Sequence, residues 1–208
     1  LRSFDLHKEP VAGSVLAVGS AGAGVNNIPI PELTERGVVV FNAPGANANS
    51  VKELVLAALL ISARNIAEAI GYTKNLKGEN MKEQVEAGKK QFAGSELSGK
   101  TLGVIGLGSI GYRVANSGVD LGMKVLGYDP AMTIQNAWQL SSAVQRVEDL
   151  EQLIKESDFI TIHVPLREQT RHLIGPKMIN VMKESASLIN FSRDEIVDEK
   201  ALVEALKN

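Results

Sequence analysis

The chain contains no cysteine. Disulfides, thiol nucleophiles and cysteine-ligated metal sites are therefore excluded. Histidine is scarce. His7, His163 and His172 are the only three, too few for a histidine-based metal centre, so no metal is expected. No run of about 18 apolar residues occurs, so no membrane partner is expected. No N-terminal segment reads as a secretory signal, and a cytoplasmic location is the default expectation. The formal net charge of −2, from 22 basic and 24 acidic residues, gives no electrostatic reason to expect nucleic acid. Internal repeats and low-complexity tracts are also missing.

What remains is an ordinary globular composition: 208 residues, 44% hydrophobic and 22% charged. That is enough chain for one large or two small domains with a buried core. The first residue is Leu1 rather than Met, within a strand-like Leu1-Arg2-Ser3, and the expectation is a piece of a longer protein. Val15 to Val18 reads as a buried strand entering the small-residue turn Gly19 to Gly24. A short helix is expected over Ile30 to Glu35 and a strand over Val38 to Phe41, closed by Asn42-Ala43-Pro44-Gly45. Asn49 or Ser50 is expected to cap a long helix whose apolar positions exceed one stripe, as for a helix buried between domains or subunits. From Tyr72 to Lys100 the sequence turns polar and glycine-rich and reads as a connection.

Beyond Thr101 strand and helix patterns alternate. Strands are expected at Thr101 to Ile105, Lys124 to Tyr128, Phe159 to His163 and Ser187 to Phe191. Helices are expected at Ile110 to Leu121, Val147 to Lys155, Pro176 to Met182 and Glu199 to Leu206, the last capped by Asp198. This order implies an α/β fold with a doubly wound parallel sheet of Rossmann type. The first of these strands runs into Gly106-Leu107-Gly108-Ser109-Ile110-Gly111 at the mouth of a helix. Gly106 suits a tight turn, Gly108 a close approach to pyrophosphate, and Gly111 close helix packing, with Ser109 and Ile110 supplying amides at the helix start. Asp129 follows Gly108 by 21 residues at the end of the next strand, where a carboxylate holds ribose hydroxyls. No arginine follows within several residues to receive a 2′-phosphate, so NAD is expected over NADP. The competing reading is a structural glycine turn beside a solvated Asp. His163, Val164 and Pro165 end a further strand at the same sheet edge and are expected to line the adenine side, although His163 taken alone reads rather as a packed histidine at a strand end.

Together, Gly22-Ala23-Gly24-Val25-Asn26-Asn27-Ile28, the Gly106 to Gly111 loop, His163-Val164-Pro165-Leu166 and Ile189-Asn190-Phe191-Ser192-Arg193 resemble the D-isomer-specific 2-hydroxyacid dehydrogenases. The run from Pro44 to Leu54 is similar to that of the phosphoglycerate dehydrogenases within the family. The resemblance implies two Rossmann-like lobes, the first an incomplete flavodoxin-like substrate lobe over 1–48. An interdomain helix and connection would occupy 49–100, with the helix reaching about residue 70 and helping to form a homodimer or higher homo-oligomer. The NAD-binding domain, incomplete at its end, would occupy 101–208. It further implies that Gly22, Ala23, Gly24 and Val25 hold the carboxylate of a small D-2-hydroxy acid. Arg193 would be the catalytic guanidinium, Arg2 would lie near a substrate phosphate, and Val51 and Thr170 would join the cofactor contacts.

Three departures from the family stand out. Ser20 occupies a position where an Arg is usual, which bears on phosphate affinity. Asp194 replaces the usual Gly after the catalytic Arg, and is expected to compete for Arg193 and to strain the turn. The chain ends before the positions of the family's catalytic Glu and His, so this chain alone is expected to bind NAD but to turn over poorly. The expected activity is NAD-dependent oxidation of 3-phospho-D-glycerate to 3-phosphohydroxypyruvate, a step of serine synthesis. The alternatives are a dehydrogenase for another D-2-hydroxy acid, or a non-catalytic NAD(H)-binding protein of corepressor-like or truncated type.

Overall fold

The computed structural model describes residue 1 and residues 4–207. The chain divides into two compact units, Leu1–Ser50 and a second from Val51 onward. In the first, β1 (Ala17–Gly19) pairs in parallel with β2 (Val39–Phe41), Val18 opposite Val40. Between them α1 (Ile30–Glu35) carries its proline in the first turn, where the missing N–H costs no helical hydrogen bond. Val18, Ile28, Leu33 and Val38 bury against one another to form this unit's core.

The expected long helix is two helices. α2 (Ala48–Ala63) and α3 (Ile66–Asn75) meet at a 63° bend. The break is at Asn65, which is left-handed at φ 49°, a conformation asparagine tolerates better than most residues. The returning chain occupies the end of α2: Ser95 N–H donates to the Ala63 carbonyl at 2.8 Å and the Asn65 side chain donates to Ala93 O at 3.3 Å. At Gly94 the backbone passes so close to Ala63 that a Cβ would strike its carbonyl. Asn49 and Ser50 lie inside the first turn of α2 rather than capping it. The segment read as a connection contains α4 (Met81–Gly88) and a 3-10 turn, Lys89–Phe92. Tyr72 organises it, its hydroxyl donating to Gln84 O at 2.7 Å and its ring lying 5.2 Å from that of Phe92.

No single described helix is long and apolar enough to cross a membrane; α2 and α3 meet that measure only as the bent pair. Val55, Leu59 and Ala63 of α2 are buried, while Leu54, Leu60, Ile61, Ile66 and Ile70 along the pair stay exposed.

The second unit is built on β3 (Thr101–Ile105), β4 (Lys124–Tyr128), β5 (Gln145–Arg146), β6 (Phe159–Ile162) and β7 (Ser187–Asn190). They form one parallel sheet in the order β5-β4-β3-β6-β7. Every residue of β3 is buried, as expected of a central strand covered on both faces. α2 and α5 (Gly111–Asp120) pack one face, where Val55, Leu59, Val114 and Ala115 meet Leu102 and Val104. α7 (Leu150–Glu156), α8 (Pro176–Asn180) and α9 (Glu199–Ala205) lie with the other face, with Leu153 and Ile154 against Ile105, Leu126 and Ile160. α6 (Ile134–Gln139) and β5 carry too little apolar pattern to be expected from sequence. Asp198 caps α9, its side chain accepting from Ala201 N–H at 3.1 Å.

Because the chain leaves β3 for β4 on one side and returns to β6 on the other, the strand order reverses at the carboxyl end of β3. In open α/β sheets that crevice is where ligands bind. At the far edge β7 pairs only with β6 among the described strands. Beside it lies a groove of about 1070 Å³ lined in part by Ala58, Met182, Leu188 and Leu202.

Candidate dinucleotide site

The loop after β3 is held by features specific to its glycines. Gly106 adopts φ +88°, and its N–H donates to Tyr128 O at 2.8 Å, tying β3 to the end of β4. A Cβ there would meet the His163 carbonyl oxygen and a Val164 methyl, each at 2.8 Å. At Gly111 a Cβ would run into the Gly106 carbonyl oxygen. At Gly108, by contrast, a Cβ would meet nothing within 4 Å. Gly106 and Gly111 are thus demanded by packing within the chain. Gly108 is not, and its bareness leaves open space where a ligand's atoms can reach the backbone.

Beyond Gly106 and Leu107, three successive amides of this loop are unclaimed. Among the described residues no acceptor takes the N–H groups of Gly108, Ser109 or Ile110. α5 starts without a side-chain cap and carries no acidic residue in its first turn. Three successive free donors at a positive helix end form a cradle for an anion.

Asp129 stands beside this cradle. Its Oδ2 accepts from Leu107 N–H at 2.8 Å and its Oδ1 from Ala131 N–H at 2.8 Å. Each oxygen of a carboxylate accepts two hydrogen bonds, so each keeps one site for a ribose hydroxyl while the backbone bonds fix the group. The free amides, the open face of Gly108 and the tethered carboxylate fit a dinucleotide's pyrophosphate and ribose.

His163 closes the loop from beneath. Its N–H donates to Ile105 O at 2.7 Å and its Nε2 lies 2.9 Å from Thr161 Oγ1. Burial pushes the imidazole down to about 4 from its ordinary value near 6.5, so the ring is neutral at physiological pH. The depressed value favours the neutral, folded state. Stability from this group is complete above pH 6.5 and is lost as pH falls through about 4. Unfolding free energy is therefore expected to drop by up to about 3 kcal/mol across that window. Urea titrations of the chain and of His163→Gln at pH 7.5 and 4 isolate the effect: the variant should show the smaller acid loss, and equal losses would contradict the assignment.

The other expected residues divide between the units. Val164 and Pro165 continue from His163. Their carbonyls accept from Ser192 Oγ at 2.6 Å and from Thr170 Oγ1 at 2.7 Å, so Thr170 braces the loop. Arg193 is exposed and starts the 3-10 turn Asp194–Ile196, its Nη1 donating to Ser192 O at 3.1 Å. Asn190 shapes that turn, donating through Nδ2 to Arg193 O at 2.8 Å and accepting Ser192 N–H at 2.9 Å. Neither Asn190 nor Ser192 was singled out from sequence; only their place in the motif ending at Arg193 hinted at them. The strain expected at Asp194 is not found, because Asn65 and His172 are the only non-glycine residues with positive φ among those described. Nor does Asp194 form an ion pair with Arg193 among the described residues. Its carboxyl is held below the ordinary range by a hydrogen bond with Glu195 first, then by backbone N–H groups, with the Arg193 charge contributing least. Val51 lies half-buried in the first turns of α2.

In the first unit, Ser20 is buried, and its hydroxyl donates to Gly24 O at 2.8 Å. Ala43 N–H and the Asn42 amide donate to the carbonyls of Gly22 and Ala23, each at 3.0 Å, and Ile28 N–H donates to Val25 O at 3.0 Å. The carbonyls of this turn are consumed internally, while no described acceptor takes the N–H groups of Ala23 or Gly24. Ser20 thus acts as a turn-closing residue. Arg2 lies outside the described residues. Of the remaining histidines, His7 Nε2 faces Asn26 O at 3.2 Å and His172 Nδ1 lies 3.8 Å from Asp198. Among the described residues no cluster of ligating side chains is arranged for a metal.

Residues 56–208 match the family model for the NAD-binding domain of D-isomer-specific 2-hydroxyacid dehydrogenases. The chain is 45% identical over 196 residues to a D-3-phosphoglycerate dehydrogenase of Methanocaldococcus jannaschii, covering 94% of this chain and 35% of that protein. It is 43% identical over 187 residues to a hydroxypyruvate reductase of Thermotoga maritima, covering 90% of this chain and 56% of that protein. A D-lactate dehydrogenase from Aquifex aeolicus, solved with NAD and lactic acid, superposes with a TM-score of 0.75 at 31% identity, over 97% of this chain and 56% of that one. The chain therefore spans about a third to just over half the length of these relatives. With its sheet, its glycine loop and its Asp129 all on the second unit, this chain belongs to the D-isomer-specific 2-hydroxyacid dehydrogenase family and carries that family's NAD-binding domain.

Proposed function

We propose that the protein to which this chain belongs is an NAD-dependent oxidoreductase that oxidises 3-phospho-D-glycerate to 3-phosphohydroxypyruvate. The observation that carries the cofactor half is the set of three free amides beside the open face of Gly108 and the tethered Asp129. The 45% identity to a D-3-phosphoglycerate dehydrogenase supports the substrate half. Reductases of hydroxypyruvate and glyoxylate at 43% and 40% identity make those 2-oxo acids the competing substrates.

In this reading the loop amides of Gly108, Ser109 and Ile110 hold the pyrophosphate and Asp129 holds the ribose hydroxyls. Bound NAD supplies a hydride acceptor at its nicotinamide ring. Arg193 offers a fixed fork of donors that suits a carboxylate beside a carbonyl, and Asn190 keeps its turn in shape. On the first unit, the free amides of Ala23 and Gly24 are donors of the kind a carboxylate takes. Neutral His163, facing Thr161 from under the loop, serves packing and takes no part in proton transfer. The exposed apolar residues of α2 and α3 are the surface through which two copies would associate.

Calorimetry of this chain with NADH tests the cofactor half, and a binding isotherm is expected. Initial rates of the whole gene product on 3-phosphoglycerate, glycerate, glyoxylate and hydroxypyruvate test the substrate half. The highest kcat/KM is expected for the phosphorylated substrate; a preference for unphosphorylated glyoxylate or hydroxypyruvate would overturn that assignment.

A further inference from the structure

We propose that Ser192 is a positioning residue for the reaction, locking the turn that carries Arg193 to the loop packed on the glycine turn. The proposal rests on the reading that Arg193 grips the substrate carboxylate. β6 and β7 run in register as far as Ile162 opposite Asn190, where the ladder ends. Two residues further along each strand's path, the half-buried Ser192 donates through Oγ to the Val164 carbonyl at 2.6 Å. A side-chain hydroxyl thus takes over where backbone pairing stops. Val164 in turn lies against the glycine turn: its methyl and the His163 carbonyl oxygen are what a Cβ at Gly106 would strike.

Every polar group of Ser192 is committed. Besides the hydroxyl, its N–H donates to Asn190 Oδ1 at 2.9 Å and its carbonyl accepts from Arg193 Nη1 at 3.1 Å. Asn190 Nδ2 donates to Arg193 O at 2.8 Å. The bonds of Asn190 shape the turn within itself. Among these bonds only that of Ser192 Oγ leaves the turn, so it sets where the turn stands against the loop after β6. Arg193 is exposed, and its guanidinium goes where its backbone carries it. A misplacement of about 1 Å can cost on the order of a hundredfold in rate. Alanine at 192 would leave the Val164 carbonyl without this donor and release the turn.

The whole gene product is to be compared with Ser192→Ala, Ser192→Thr, Arg193→Ala and the double variant Ser192→Ala with Arg193→Ala. Initial rates on 3-phosphoglycerate, glycerate, glyoxylate and hydroxypyruvate are read beside NADH titrations, with melting temperature as the check on folding. Ser192→Ala should lower kcat/KM on the preferred substrate roughly tenfold and leave the Kd for NADH within about twofold. Ser192→Thr keeps the donor and should stay within about threefold of the unaltered protein. In the Arg193→Ala background the serine change should cost less than about twofold more, because residues acting through one guanidinium are not additive. A kcat/KM for Ser192→Ala within about twofold of the unaltered protein overturns the role, as does an equal loss in Ser192→Thr. A further loss of about tenfold in the Arg193→Ala background, or a matching loss of NADH affinity, also overturns it, because the serine then acts through the fold or the cofactor. If Arg193→Ala itself costs less than about tenfold, the reading of Arg193 falls and this inference with it; a large loss for Arg193→Ala with an insensitive Ser192 removes this inference alone.

Discussion

Gly111→Ala is expected to destabilise the second unit by about 3–5 kcal/mol, a drop of about 10 °C in melting temperature for a chain of this size. The cause is geometric. The added Cβ would run into the Gly106 carbonyl oxygen, and that atom is backbone in a loop pinned at both ends. Gly106 N–H is bound to Tyr128 O and His163 N–H to Ile105 O. Relief requires α5 to lift from β3, which uncovers Val114 and Ala115 in the core. Differential scanning calorimetry checks it, and a melting temperature within 2 °C of the unaltered chain would show that the helix can move at little cost.

Gly108→Val should do the reverse: leave the melting temperature nearly unchanged and weaken NADH binding by roughly a hundredfold, or about 3 kcal/mol. A Cβ at Gly108 meets nothing within 4 Å, so the chain itself has no objection to a side chain there. The branched side chain would fill the space through which a pyrophosphate must reach the amides of residues 108–110. Fluorescence titration with NADH alongside a thermal melt separates the two effects. Unchanged affinity would mean that the dinucleotide does not approach through this face. The contrast between the two glycines matters more than either result alone, because it divides one sequence motif into a folding position and a binding position.

Much of this site was legible in the sequence because its signals are local. A buried strand, a tight glycine turn and a helix start occupy eleven consecutive residues, and the Asp at 129 follows at a spacing fixed by one strand–helix–strand unit. α1 and the strands around the crevice were legible for the same reason: short apolar runs bounded by turn residues. What escaped was set by contacts distant in sequence. The break at Asn65 depends on residues 93–95 returning to the end of α2, and nothing near Asn65 announces that. α4 has an apolar pattern too thin to mark it, with Met81 and Val85 both exposed. The tie from Ser192 to Val164 joins two loops 28 residues apart. The relaxed backbone at Asp194 likewise reflects its place at the start of a 3-10 turn, which its sequence neighbours do not specify.

If residues 108–110 and Asp129 grip the cofactor, their own amides report it. Amide-resolved NMR of the labelled chain titrated with NADH tests it most directly. The largest shifts should appear at Gly108, Ser109 and Ile110, moving downfield as hydrogen bonds to phosphate form, with accompanying shifts at Asp129 and Ala131. Saturating shifts clustered instead along the groove beside β7, or no shifts at all from a folded sample, would contradict it.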